Sequence, residues 1–181
     1  MRYGPLKGDP LLTVRLTRVP DSGDPLKEEK LLRPADLGLG APFTAAGVTA
    51  AWELTRMMGK VYGRVRAGAQ LRLACGRCLR DFDRPVDVDF AVLFEPRERT
   101  PVRGHGQQGQ KDQQAKHVEV DGEDAGPTAV FFDGEELPLG EELRQELELA
   151  VPFSALCRER CAGLCARCGA NLNDGPCGCA A

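Results

Sequence analysis

The chain has 181 residues, 42% hydrophobic and only 6% aromatic, with a formal net charge of −3. That length supplies one ordinary domain, or one domain with a small appendage, around a modest apolar core. No apolar run approaches the roughly 18 residues of a spanning helix. The N-terminus, Met1 to Pro10, is broken by prolines and has no apolar h-region. A secretory signal is therefore not expected, and a reducing cytoplasm is the expected compartment.

Charge is distributed unevenly. Residues 1–110 carry 18 Lys and Arg against 13 Asp and Glu, and residues 111–181 carry 6 against 14. The basic excess is densest from Arg56 to Arg84, the acidic excess from Glu119 to Glu148. Such a chain can bind nucleic acid through one patch while the rest repels it. The plainer reading is two solvated faces of opposite sign that pair with each other.

In chain order, Leu12, Val14 and Leu16 alternate with polar residues and predict a half-buried strand over 11–19. A turn-rich stretch from Pro20 to Pro25 leads into a charged segment. Leu31 to Leu39 predicts a short helix behind Pro34, ended by Gly38 and Gly40. From Val48 to Phe94 the alternation is sustained. Val48, Ala50, Trp52 and Leu54 share one face, as do Val61, Gly63, Val65 and Ala67. Ala67-Gly68-Ala69 reads as a tight turn, followed by Leu71, Leu73 and Cys75, and then Val86, Val88, Phe90, Val92 and Phe94. Four such runs predict an antiparallel meander with one buried face.

Residues 96–127 are poor in apolar side chains and rich in Gly and Gln. They read as a disordered linker between a β domain at 1–95 and a helix-plus-tail unit at 128–181. His105 and His117 fall in it and are not taken as ligands. Ala129 to Phe132 suits a short strand. Leu139, Leu143, Leu147 and Val151 recur at helical spacing, with Glu141 and Glu142 at the positive end of the helix dipole. These leucines read as core packing, and Pro152 stops the helix.

The tail holds six of the eight cysteines: Cys157, Cys161, Cys165, Cys168, Cys177 and Cys179. It is too short and too polar to bury a core of its own. In a reducing compartment, clustered cysteines are metal ligands more often than disulfides. Cys165 and Cys168 form a C-x2-C knuckle followed by glycine, and Cys177 and Cys179 supply a second half for a tetrahedral zinc site. Cys75 and Cys78 form another C-x2-C, and Cys157 with Cys161 is the pair left to complete it. One zinc ion or two is expected. Two alternatives stay open: Cys161 serving the tail site in place of Cys177 or Cys179, and Cys75 with Cys78 simply reduced. The spacing matches neither common ferredoxin pattern, which argues against an iron–sulfur cluster. Thioredoxin-like redox use needs a βαβ setting that the antiparallel strands do not offer. No Ser/His/Asp set, P-loop or paired-carboxylate constellation is present.

Lys60, Tyr62, Arg64 and Arg66, joined by Arg72, Arg77 and Arg80, are expected on the outward face and beside the first knuckle. Guanidinium groups there can meet phosphates bidentately, and Tyr62 can stack on a base. On periodicity alone, an ordinary solvated strand face is an equally good reading.

Several motifs recur together: a strand running into Cys75-Gly-Arg-Cys78-Leu-Arg-Asp-Phe, a leucine-spaced helix ending in Val151-Pro152, and Cys157 to Cys161-Ala-Gly-Leu-Cys165-Ala-Arg-Cys168-Gly-Ala-Asn-Leu-Asn with the closing Cys177-Gly-Cys179. Together they resemble the YceD family of large ribosomal RNA subunit accumulation proteins, over roughly Val48 to Cys179 without the linker. The resemblance implies a non-enzymatic cytoplasmic role in the synthesis, processing or stability of 23S rRNA. Its implied partner is ribosomal RNA or a pre-50S particle, with no membrane and no small-molecule substrate. Not all family members keep the cysteine-rich tail, so its metal is not implied as the family's common functional element. The competing reading is a protein-binding adaptor whose zinc tail or acidic helix docks a ribosomal protein or assembly factor. The expected fold is α+β: an antiparallel β-sheet domain, a C-terminal helix and a cysteine-rich zinc-binding tail.

Overall fold

The structure is a computed structural model, and it describes residues 12–97 and 127–179. Among these residues, seven strands and one α-helix form the framework: β1 (Val14–Arg15), β2 (Leu26–Leu32), β3 (Phe43–Met57), β4 (Lys60–Ala74), β5 (Asp81–Pro96), β6 (Thr128–Phe132), β7 (Glu136–Leu137) and α1 (Leu139–Leu149). Five of the strands make one sheet in the order β2-β3-β4-β5-β6. All of its pairings are antiparallel except β5 with β6, which is parallel. The fold is therefore α+β, as expected, but its sheet is mixed. β6 returns beside β5 from a distant part of the chain, so hairpin geometry does not dictate its direction.

The inner face follows from strict alternation. Val48, Ala50, Trp52 and Leu54 of β3 are buried, as are Val61, Val65, Ala67, Ala69 and Leu71 of β4, and Val92 and Phe94 of β5. The register aligns them, with Trp52 opposite Val65 and Val61 opposite Phe94. Gly63 sits where a Cβ would come within 2.9 Å of both Leu54 and Val92, so its lack of a side chain lets those two close over it. Leu139, Leu143 and Leu147 of α1 are fully buried in the same apolar cluster, together with Leu37 from a 3-10 turn (Pro34–Leu37). The period of the leucines and the stop before Pro152 are as the sequence indicates.

Two expectations need correction, and one segment that carried no structural expectation gains a structure. Ala67-Gly68-Ala69 is not a turn: β4 runs unbroken from Lys60 to Ala74. The odd-numbered positions stay inward on both sides of Gly68, which a turn would have reset. Gly68 is instead a close-approach site, since a Cβ there would lie 2.8 Å from Asp87 Oδ1. The strand expected over 11–19 shrinks to Val14–Arg15, pairs with β7 outside the main sheet, and passes into a 3-10 turn (Leu16–Arg18). The charged segment after Pro25 is a strand, the sheet-edge β2. Its Lys27, Glu28, Glu29 and Lys30 suit an edge that must not pair with another chain.

The expected linker at 96–127 lies almost wholly outside the described residues. No helix among the described residues is long and apolar enough to cross a membrane.

Candidate metal centres and the basic strand

The end of β4 delivers Cys75 into a tight knuckle. Leu79 N–H donates to the Cys75 carbonyl at 2.9 Å, and Cys75 N–H donates to the Arg80 carbonyl at 3.0 Å. The tail repeats this turn: Gly169 N–H donates to the Cys165 carbonyl at 2.9 Å, and Cys165 N–H to that of Ala170 at 2.8 Å. Both turns need a left-handed residue after the second cysteine. The tail supplies Gly169 at φ 72°, whereas the sheet knuckle places Leu79 there at φ 57°. A bulky side chain in that region is disfavoured, yet Leu79 is largely exposed.

Two four-cysteine sets result: Cys75, Cys78, Cys157 and Cys161, and separately Cys165, Cys168, Cys177 and Cys179. Within each set all four sulfurs lie within 4.8 Å of one another. The Cys75–Cys161 and Cys78–Cys157 sulfurs are 3.7 Å apart, and Cys165–Cys177 3.4 Å. A metal–sulfur bond of about 2.3 Å sets a tetrahedral edge of about 3.8 Å, whereas a disulfide needs about 2.05 Å. The spacing thus fits one tetrahedral ion per set, and both sets could hold a metal. A multi-iron cluster would place its cysteines on separate iron atoms in a wider cage. An ion held by all four sulfurs of a set would have no tetrahedral position left for a substrate.

The two centres differ in surroundings. In the first, Cys75, Cys78 and Cys161 are buried, packed with Phe82, Leu156 and Leu164. In the second, Cys168 is exposed and the other three are half-buried. The first joins sheet to tail. Gly76 N–H donates to the Ala155 carbonyl at 2.9 Å, and Gly163, at φ 76°, lies against Arg77, whose carbonyl would be 3.2 Å from a Cβ.

Hydrogen bonding moderates the sulfurs. Backbone N–H groups of Cys157 and Cys78 hold the Cys75 thiol down at about 6. Those of Cys168 and Arg167 do the same for Cys165, also to about 6. Burial pushes Cys157 up to about 12. Burial also pushes Cys161 up, but the Asn173 amide and the Gly163 N–H outweigh it and the net shift is downward. Two thiols poised for ionisation and two sets of converging sulfurs are what a cationic centre requires.

Cations surround the buried centre. Arg77 Nη1 donates to the Cys161 carbonyl at 3.1 Å, and Arg80 Nη2 pairs with Asp174 at 2.8 Å. From the tail loop, Asn173 donates to Cys161 Sγ of the buried centre at 3.3 Å, and Asp174 reaches Arg80 beside it. Nothing in Asn171-Leu-Asn173-Asp-Gly as a sequence indicates what this stretch would meet.

The structure places Lys60, Tyr62, Arg64, Arg66 and Arg72 on the outward side of β4, with the side chains of Arg64, Arg66 and Arg72 about two-thirds exposed. It does not leave the four cations unpaired. Arg64 makes two 3.0 Å bonds to Asp89, which Arg66 also reaches at 3.3 Å. Arg72 pairs with Asp83 at 2.8 and 2.9 Å, and Lys60 with Glu95 at 2.8 Å. These acids come from β5, the next strand, and not from the acidic segment at 119–148. Glu53 on β3 and Asp81 and Asp87 on β5 share the outward face, so carboxylates outnumber cations there. Side-chain hydrogen bonds from Arg64 and Arg72 hold Asp89 and Asp83 below the ordinary carboxylate range. Period-2 reading located the arginines, but it did not align β5 against them.

A curated maize protein, described as a chloroplastic large ribosomal RNA subunit accumulation protein YCED homolog 1, is 28% identical over 172 residues, covering 83% of this chain and 57% of its own length. Its Arabidopsis thaliana counterpart is 28% identical over 120 residues, covering 60% of this chain and 36% of its own. The chain thus spans little more than half the length of the longer-matching relative. No solved structure matches it significantly. The family model described as large ribosomal RNA subunit accumulation protein YceD matches residues 63–181, from near the start of β4 through both cysteine sets, and the chain belongs to that family.

Proposed function

We propose that the protein is a non-enzymatic factor in the synthesis, processing or stability of large-subunit ribosomal RNA, acting on that RNA or on a pre-ribosomal particle in a reducing cytoplasm. The observation that carries this reading is the family match through the part of the chain that contains both cysteine sets. Closed four-sulfur sites are suited to structural zinc and not to catalysis. When bound, zinc would cross-link sheet to tail at Cys75, Cys78, Cys157 and Cys161, and close the tail at Cys165, Cys168, Cys177 and Cys179. Lys60, Tyr62, Arg64, Arg66, Arg72, Arg77 and Arg80 are the RNA contacts on this reading. Exposed ion pairs are worth about 1 kcal/mol or less each, so phosphate can displace the carboxylates at small cost.

A second reading has a specific observation in its favour. Because the β4 cations are matched by β5 carboxylates, the outer sheet face suits a protein partner with mixed charge better than bare RNA. On that reading the protein is an adaptor that docks a ribosomal protein or assembly factor. Gradient fractionation of ribosomal particles with and without RNase separates the two. RNA-dependent comigration, with binding that weakens steeply as salt rises and is lost in an Arg64→Ala/Arg66→Ala/Arg72→Ala variant, supports RNA contact. Comigration with a protein partner that survives RNase supports the adaptor. No association with ribosomal particles would refute both.

A further inference from the structure

The loop between the two ligand pairs of the exposed centre lies against the buried one. Asn173 Nδ2 donates to Cys161 Sγ at 3.3 Å, while its Oδ1 accepts from Arg158 Nε at 3.1 Å and from the Ala162 N–H at 2.8 Å. Asn171 orients that amide, taking Asn173 Nδ2 at 2.7 Å and its backbone N–H at 3.0 Å on one oxygen. The next residue, Asp174, clasps Arg80 with both oxygens. The two neighbours therefore hold both halves of the buried centre, since Arg80 follows Cys78, and Arg158 and Ala162 adjoin Cys157 and Cys161. Leu172 N–H, donating to the Gly163 carbonyl at 2.9 Å, seats the loop against the chain between the centres.

We propose that Asn173 is a positioning residue through which occupancy of the exposed centre sets how tightly the buried centre retains its metal. This rests on the metal reading of both sets. A thiolate ligand in a buried site needs donors to share its charge, and Cys161 draws its side-chain donor from a loop anchored elsewhere. That loop carries glycines at both ends, Gly169 and Gly175, each with positive φ. It is held closed by Cys165 and Cys168 on one side and Cys177 and Cys179 on the other. With metal bound there, the closure entropy is already spent and Asn173 is presented to Cys161. With that centre empty, the ordering cost falls on the weak contacts alone. Linkage makes the effect reciprocal: metal in the buried centre also favours metal in the exposed one. Loss of an outer-shell partner costs about 10–100-fold in metal affinity, which sets the expected size.

The test loads the full chain with cadmium, whose NMR resolves two thiolate centres as separate resonances, and follows release to a chelator. In the unaltered chain, the buried resonance should decay slowly while the exposed centre is full and about tenfold faster once it has emptied. Emptying the exposed centre by Cys177→Ser/Cys179→Ser should speed loss from the buried centre to a similar degree. Asn173→Asp keeps an acceptor for Arg158 and Ala162 but loses the donor to sulfur. It should shift the buried resonance, and speed its loss, while the exposed centre is still loaded. Combining it with the cysteine changes should add little. Two metals released independently in the unaltered chain, or fully additive effects in the combined variant, would overturn the coupling alone. No metal at either set would overturn the metal reading and the coupling together.

Discussion

Disabling the buried centre should destabilise the protein more than disabling the exposed one, and the difference can be estimated from the chain distances that each spans. The Cys78–Cys157 contact bridges 79 residues, whereas Cys165–Cys177 bridges 12. Treated as cross-links that restrict the unfolded chain, these loops are worth about 4.5 and about 3 kcal/mol on the disulfide scale. Serine in place of a buried cysteine adds the desolvation of a hydroxyl, about 1–3 kcal/mol if it finds no partner, and Cys78 is only 6% exposed. At roughly 2–4 °C per kcal/mol for a chain of this size, Cys78→Ser/Cys157→Ser should lower Tm by about 11–30 °C. Cys165→Ser/Cys177→Ser should lower it by about 6–12 °C. Circular-dichroism melts that follow the sheet signal, with limited proteolysis to report release of the tail, make the comparison. An exposed-centre variant that melts as low as the buried-centre variant would refute the cross-link argument. So would a buried-centre variant whose tail stays protease-resistant.

Other substitutions test the packing and the charges. Leu147→Ala removes a fully buried side chain between α1 and the sheet and should cost about 2–5 kcal/mol in chemical denaturation. Gly140→Ala would set a Cβ 2.6 Å from the Leu12 backbone nitrogen and 2.9 Å from its oxygen. Neither is a flexible side-chain end, so a loss of about 1–3 kcal/mol is expected in the same assay. Arg72→Ala should change stability by less than about 1 kcal/mol, because the Arg72–Asp83 pair is exposed. The carboxyls of Asp83 and Asp89 have lowered native pKa values. Their contribution is therefore fully present above the ordinary aspartate pKa of 3.8, and is lost as pH falls through the lowered native values. Acid titration monitored by NMR should show both protonating below that ordinary value, and Asp83 returning towards it in Arg72→Ala.

Much of the architecture could be read from the residues. Alternation over β3, β4 and β5 identified the inner face, the spacing of Leu139, Leu143 and Leu147 identified the helix, and eight cysteines with knuckle spacing indicated thiolate sites. Period and spacing are local properties, and local backbone geometry obeys them directly. Gly68 misled because glycine signals a turn on average, whereas here it makes room for Asp87. The charged run at Leu26–Leu32 gave no apolar alternation, because an edge strand is chosen for what it repels as much as for what it buries.

What the residues alone could not decide is how distant segments meet. The pairing of Cys75 and Cys78 with Cys157 and Cys161 spans some eighty residues and depends on where α1 sets down the tail. The matching of β4 arginines to β5 aspartates depends on a register that only inter-strand hydrogen bonds establish. It turns an apparently basic strand into a face on which carboxylates outnumber cations. The contact of Asn173 with Cys161 depends on one loop folding over another centre. Local chemistry named the ligands and the charged groups; tertiary packing chose their partners, because a thiolate, a guanidinium or an amide is satisfied by whichever complementary group the fold brings within reach.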